Sequence, residues 1–124
     1  MRISARRHLL ENLVQRSRPI DETLTALSKF DFDSSPLVAL KGEHVISLLA
    51  DYVAGNIDEA DVEKWADAVE VRDDLFYEAE DGEVVKNFVY DLANPLLSGH
   101  LTLEAAGRMM SILEARQREL RGFR

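Results

Sequence analysis

Apolar residues recur at helical spacing along most of this chain. Val45, Leu48, Leu49, Tyr52 and Val53 fall at i, i+3, i+4, i+7 and i+8, the spacing of one helix face. Gly55 supplies a left-handed stop behind them. Asp58 is then a good N-cap, with Asp61 three residues on in the place usually held by a capping-box Glu. Val62, Trp65, Ala66 and Val69 carry the same spacing through the next helix, and Val85, Phe88, Val89 and Leu92 through another, which Asn94-Pro95 closes. Thr102 caps a last helix over residues 102–121, with Glu104 in its first turn and an inner stripe of Leu103, Ala106, Met110, Leu113 and Leu120. Towards the start, Ile3, Leu10, Leu13 and Val14 suit a first helix within residues 1–18, and Pro19 opens a second with Ile20, Leu24 and Leu27 inward. The stretch from Phe30 to Gly42 carries loop signals. Leu37-Val38-Ala39-Leu40 and Leu75-Phe76-Tyr77 fit an extended segment or a helical turn, and periodicity does not choose between them. The expectation is an all-α fold, a compact bundle of five or six short helices, with room for a short extended segment near 37–40 or 75–77.

Length and composition agree with one helical domain over residues 1–124. The absence of cysteine rules out disulfides and thiolate chemistry. No apolar run approaches the roughly 18 residues of a membrane span, and the N-terminus lacks the apolar core of a secretory signal. A cytoplasmic protein with no membrane contact is the expectation.

Charge changes the picture more than composition does. Residues 58–83 hold twelve carboxylates against Lys64 and Arg72, a local charge of −10 within a chain of net charge −8. The ends are basic: five arginines against Glu11 in residues 1–18, and five against Glu114 and Glu119 in residues 108–124. Glu59, Glu63, Asp67 and Glu70 form one helical stripe opposite Val62, Trp65 and Val69. Like charges at i, i+4 each cost a helix about 0.2–0.5 kcal/mol. Glu59 and Asp61 are favoured by the dipole at the helix start; Glu70, Asp73 and Asp74 stand near its disfavoured end, with Arg72 alone to compensate. Glu78, Glu80, Asp81 and Glu83 follow closely. A surface shaped for stability mixes signs, so this one suits a strongly basic partner.

Candidate chemistry is sparse by contrast. His8, His44 and His100 are scattered, and none has the companions that proton transfer or a zinc motif requires. A calcium loop beginning at Asp31 fails on Pro36, where the sixth position needs Gly, and on Gly42, where the twelfth needs Glu. Asp73-Asp74 and Glu80-Asp81 lack a ligand geometry, and no glycine-rich phosphate loop is present. The reading is a protein without catalytic residues, metal or cofactor. The acidic middle opposes nucleic-acid binding through the basic ends.

The run Tyr52-x-x-Gly55-x-Ile57, then Trp65-Ala66-x-x-Val69-Glu70-x-Arg72-Asp73-Asp74-Leu75-x-Tyr77-Glu78, then Leu92-Ala93-Asn94-Pro95, resembles bacterial immunity proteins of contact-dependent growth inhibition and related polymorphic toxin systems. The resemblance covers roughly residues 37–115. It implies a non-enzymatic inhibitor that binds the C-terminal domain of one cognate toxin, commonly a nuclease, inside the producing cell. Within it, Trp65, Val69, Leu92 and Pro95 read as fold residues. Nuclease clefts are basic because they hold phosphates, and a carboxylate-rich helix and loop mimics that polyanion. The expected partner-binding residues are therefore Glu63, Asp67, Glu70, Asp73, Asp74, Glu78, Glu80 and Asp81. The rival reading is a regulatory adaptor whose basic ends and acidic centre make charge-complementary contacts, and the sequence leaves monomer and dimer equally open.

Overall fold

A computed structural model describes residues 2–30, 35–78 and 80–122. In chain order the elements are α1 (Arg2–Gln15), α2 (Ile20–Leu27), β1 (Val38–Leu40), α3 (Gly42–Val53), α4 (Glu59–Glu70), β2 (Leu75–Tyr77), α5 (Gly82–Ala93), α6 (Pro95–Ser98) and α7 (Leu103–Gly122). The fold is mostly helical, as the periodicity predicts, with seven helices among the described residues, one of them the single turn α6. Asp31 and Asp33 of the discounted calcium loop and the side chain of Ile3 lie outside the described residues.

The local signals read from the sequence place the helix ends well. Asp58 Oδ1 accepts from the Asp61 N–H at 2.9 Å, and Asp61 Oδ2 accepts from the Asp58 N–H at 3.1 Å, so the shorter Asp completes the capping box. Gly55 takes a φ of 84° after α3, where a side chain would be strained. Thr102 Oγ1 accepts from the Ala105 N–H at 3.0 Å to open α7. The end of α1 is less orthodox. Arg16 occupies the left-handed region at φ 55°, with Ser17 N–H on the Asn12 carbonyl and Arg16 N–H on that of Leu13. That is the Schellman pattern with an arginine where glycine is usual.

The two ambiguous triplets find each other. β1 and β2 pair in parallel with Val38 opposite Leu75, Ala39 opposite Phe76 and Leu40 opposite Tyr77. A parallel pair needs a long crossover, which α3 and α4 supply. Ahead of the ladder, the Asp74 carbonyl accepts from the Leu37 and Val38 N–H groups at 2.8 and 3.3 Å.

α3 packs chiefly on α7 and α4 on α5. Leu10, Leu13, Leu48, Leu49, Val62, Trp65, Val69, Val85, Val89 and Leu113 belong to one buried cluster. Trp65 is buried and its indole N–H donates to the Leu13 carbonyl at 2.8 Å, a second donor to the oxygen that also accepts from the Arg16 N–H. Leu103 and Leu120, expected on the inner stripe of α7, are exposed, as is Val53. For Leu120 the reason is length: α7 has 20 residues and α3 only 12, and with the start of α3 beside Leu113 and Gln117 the C-terminal end of α7 runs past it.

Candidate functional site

The acidic stripe is carried by α4. Its apolar face points inward, which leaves Asp67 exposed and Glu63 and Glu70 half-buried on one flank. Glu70 shares a cleft with Tyr77, Lys86, Asn87 and Tyr90. Glu59 and Glu63 share another with Asp91, Leu92 and Pro95. The flank therefore runs along α5, with the end of α4 near the start of α5. Burial, and secondarily the Glu70 charge, push the Tyr77 hydroxyl above its usual range. Asp73 stands exposed in the turn after α4, and Glu78 and Glu80 stand exposed between β2 and α5.

Two of the eight expected residues are not on this surface. Asp74 is only 1% exposed. Its Oδ2 accepts from Arg6 Nε at 3.0 Å and Arg72 Nη2 at 3.0 Å, and its Oδ1 accepts from Arg72 Nε at 2.9 Å. Burial pushes this carboxyl up, but the hydrogen bonds and charges of Arg72 and Arg6 outweigh it and hold Asp74 below the usual carboxylate range. Arg6 is itself buried and lies 5.7 Å from the centroid of the Phe30 ring. Asp81 is also buried, directly before α5. Its Oδ2 lies so close to the first residue of α3 that a Cβ on Gly42 would come within 3.2 Å of it, and the dipole at that helix start favours a carboxylate. Both residues are therefore corrected from partner-binding to internal: Asp74 pairs with two arginines, and Asp81 lies buried against the start of α3. Arg72 is a near neighbour of Asp74, but Arg6 and the start of α3 come from distant parts of the chain, and sequence spacing carries no sign of them.

The segment's two cations are spent in the same way. Arg72 is committed to Asp74, and Lys64 pairs with Asp21 of α2. Glu63, Asp67, Glu70, Asp73, Glu78 and Glu80 thus face solvent without offset from the cations of their own segment.

Five arginines of the termini make contacts within the chain. Arg6 enters the core on Asp74, and Arg16 pairs with Asp51 and reaches Ser47 Oγ at 3.4 Å. The Arg16 and Asn56 hydrogen bonds hold the Asp51 carboxyl below its usual range. Arg18 and Arg108 make exposed i, i+4 pairs with Glu22 and Glu104. Arg116 Nη2 donates to the Glu80 carbonyl at 2.8 Å. One arginine from each end therefore pins one of the loops bounding β2: Arg6 the turn before it, Arg116 the connector after it.

Two of the three histidines make contacts within the fold, and His8 is exposed. His44 Nδ1 accepts from the Lys41 N–H at 2.9 Å at the start of α3, and burial holds its pKa below the usual value, with Glu43 raising and Lys41 lowering it. His100 Nδ1 meets Glu59 Oε2 at 3.1 Å, and the same oxygen accepts from the Leu101 N–H at 2.8 Å. Glu59, assigned to the helix dipole on sequence grounds, thus also ties α4 to the segment before α7. Among the described residues, no three His, Asp or Glu side chains converge to hold a metal ion, and no helix is long and apolar enough to cross a membrane. No family model, curated protein or solved structure matches the chain, so the resemblance rests on the residues that carry it.

Proposed function

We propose that this chain is an immunity protein, a non-enzymatic inhibitor that binds the basic C-terminal domain of a cognate toxin, in the first instance a nuclease, in the cytoplasm of the producing cell. The observation that carries the reading is the outward set Glu63, Asp67, Glu70, Asp73, Glu78 and Glu80, six carboxylates in excess of the cations near them: Lys64 and Arg72 are used elsewhere, and Lys86 shares a cleft with Glu70. Stability does not account for that arrangement, since self-repulsion lowers it. A phosphate-holding cleft accounts for it, because carboxylates displayed on a helix and the loops after it offer the same charge as the polyanion they replace. The adaptor reading needs free basic ends, and it has fewer than the sequence offers: Arg6, Arg16, Arg18, Arg108 and Arg116 are engaged within the chain, while Arg7 and Arg118 are exposed.

The test is co-expression with the toxic C-terminal domain encoded in the preceding reading frame. The wild-type chain restores growth and forms a complex whose association slows with salt, as exposed charges are screened beyond about 8 Å at physiological ionic strength. The combined variant Glu63→Lys, Asp67→Lys, Glu70→Lys and Asp73→Lys keeps its melting temperature and loses binding. Asp74 is left unchanged in this variant because reversing it breaks the core. Rescue by the reversed variant at undiminished affinity sinks the assigned surface; failure of the wild type to rescue sinks the function.

A further inference from the structure

Leu96 and Leu97 are 95% and 74% exposed, on the single turn α6 between α5 and α7. They stand on a well-held support. The Asn94 carbonyl accepts from the Leu97 and Ser98 N–H groups at 3.0 Å each, Asn94 Nδ2 donates to the Tyr90 carbonyl at 2.8 Å, and Ser98 Oγ donates to Asp91 Oδ1 at 3.0 Å. Pro95 pre-sets the first helical position and Gly99, at φ 97°, turns the chain away at the end. Two adjacent leucines are thus held in water by a rigid turn that gains nothing from their side chains.

Their surroundings select what covers them. Pro95 and Ser98, which bracket the pair, line a cleft of about 200 Å³ together with Glu63 and Asp91. The two basic side chains of that cleft are engaged, His100 with Glu59 and Arg108 with Glu104. An apolar anchor edged by uncompensated carboxylates repels anionic lipid. It also opposes a second copy of itself, because a two-fold contact sets the same carboxylates against one another. It complements a basic protein surface.

We infer that Leu96 and Leu97 are the apolar anchor of the interface with the basic toxin domain, an inference that rests on the immunity reading and adds the energetic centre its charges lack. In protein interfaces a few buried apolar groups dominate affinity, while surrounding charges steer encounter. The 12 residues of α5 separate this corner from the Glu78–Glu80 connector by about 18 Å. A standard interface of about 800 Å² per partner, roughly 30 Å across, covers both.

The experiment measures binding kinetics to the catalytically inactivated toxin domain at low and physiological salt. Leu96→Ser with Leu97→Ser is expected to raise the dissociation rate about tenfold or more, leaving the association rate, its salt dependence and the melting temperature unchanged. Glu63→Gln with Asp67→Asn is expected to slow association at low salt. Leu97→Gln alone, a milder change, raises the dissociation rate to a lesser degree. An unchanged dissociation rate for the leucine variants overturns the anchor and leaves the immunity reading intact, whereas absence of wild-type binding overturns both. Leucine-dependent dimers in sedimentation, or leucine-dependent capture by phosphatidylglycerol vesicles, overturn the anchor by naming another occupant.

Discussion

Asp73 and Asp74 are neighbours of one residue type with opposite fates. Asp74 is enclosed by Arg6 and Arg72, while Asp73 stands in solvent. The same division runs through the acidic segment: Asp58, Glu59, Asp61 and Asp74 serve caps, ties and pairs and Asp81 is buried, whereas Glu63, Asp67, Glu70, Asp73, Glu78 and Glu80 stay outside the core, as does Glu83 in the first turn of α5. The difference teaches that local charge density is not itself a surface property. Part of it belongs to the fold, where Asp74 takes counter-charge from neighbouring Arg72 and distant Arg6, and only the remainder is displayed to solvent.

That division is most sharply broken at Asp74. Asp74→Ala leaves Arg6 and Arg72 partly or fully buried without their anion, and such a loss costs about 3–5 kcal/mol. Urea denaturation should show a large drop in midpoint for Asp74→Ala, while Asp73→Ala stays within about 0.5 kcal/mol of the wild type. Equal effects at the two positions contradict the division.

Removing the indole donor is a smaller intrusion into the same core. Trp65→Phe leaves the Leu13 carbonyl without its side-chain donor and opens space, at an expected cost of about 1–3 kcal/mol. A thermal melt compared with that of Glu63→Gln, on the other flank of the same helix, reads the contrast directly.

Acid offers a graded test. The fold holds Asp74 below its ordinary range, so the folded state binds fewer protons than the unfolded one as pH falls. Its contribution is complete above the unfolded value of about 3.9 and drains as pH drops through the folded value. His44 behaves alike in direction but at higher pH. Its depressed pKa means that stability falls as pH drops below about 6.5 towards the folded value, where protonation also turns the Nδ1 acceptor into a donor facing the Lys41 N–H. His44→Gln should flatten that upper phase of a stability–pH curve and leave the Asp74 phase in place. A curve unchanged by the substitution removes His44 from the account.

The smallest effect, and the one of opposite sign, is expected on the outer flank. Neutralising Glu63, Asp67 and Glu70 to Gln, Asn and Gln relieves repulsion along α4 and raises stability by a few tenths of a kcal/mol, more at low salt. A clear loss of stability places these carboxylates with the fold after all.

Much of the helix layout was legible because its signals are local. The Asp58–Asp61 box, Gly55, Pro95 and Thr102 all act within four residues of themselves, and core faces follow from 3.6-residue periodicity. The site was legible only in part. Glu63, Asp67, Glu70, Asp73, Glu78 and Glu80 could be chosen from charge and phase, whereas the Asp74 pair with Arg6 joins residues 68 positions apart. The exposure of the α6 leucines was not legible for a related reason: a Leu-Leu dipeptide beside a proline carries no periodicity that says which way it faces.

By itself, then, the amino-acid sequence determined the helical class, the stop of α3, the start of α4, the end of α5, the start of α7, and the excess of carboxylates between residues 58 and 83. Capping, turn chemistry and amphipathic spacing are short-range effects, written where they act. Tertiary structure alone decided that the two apolar triplets pair as parallel strands, that the basic ends reach inward to Asp74 and the Glu80 carbonyl, and which carboxylates stay outside. Those outcomes depend on what packing brings together. A buried carboxylate needs a counter-charge and an exposed one does not, and chain spacing does not say which arginine arrives.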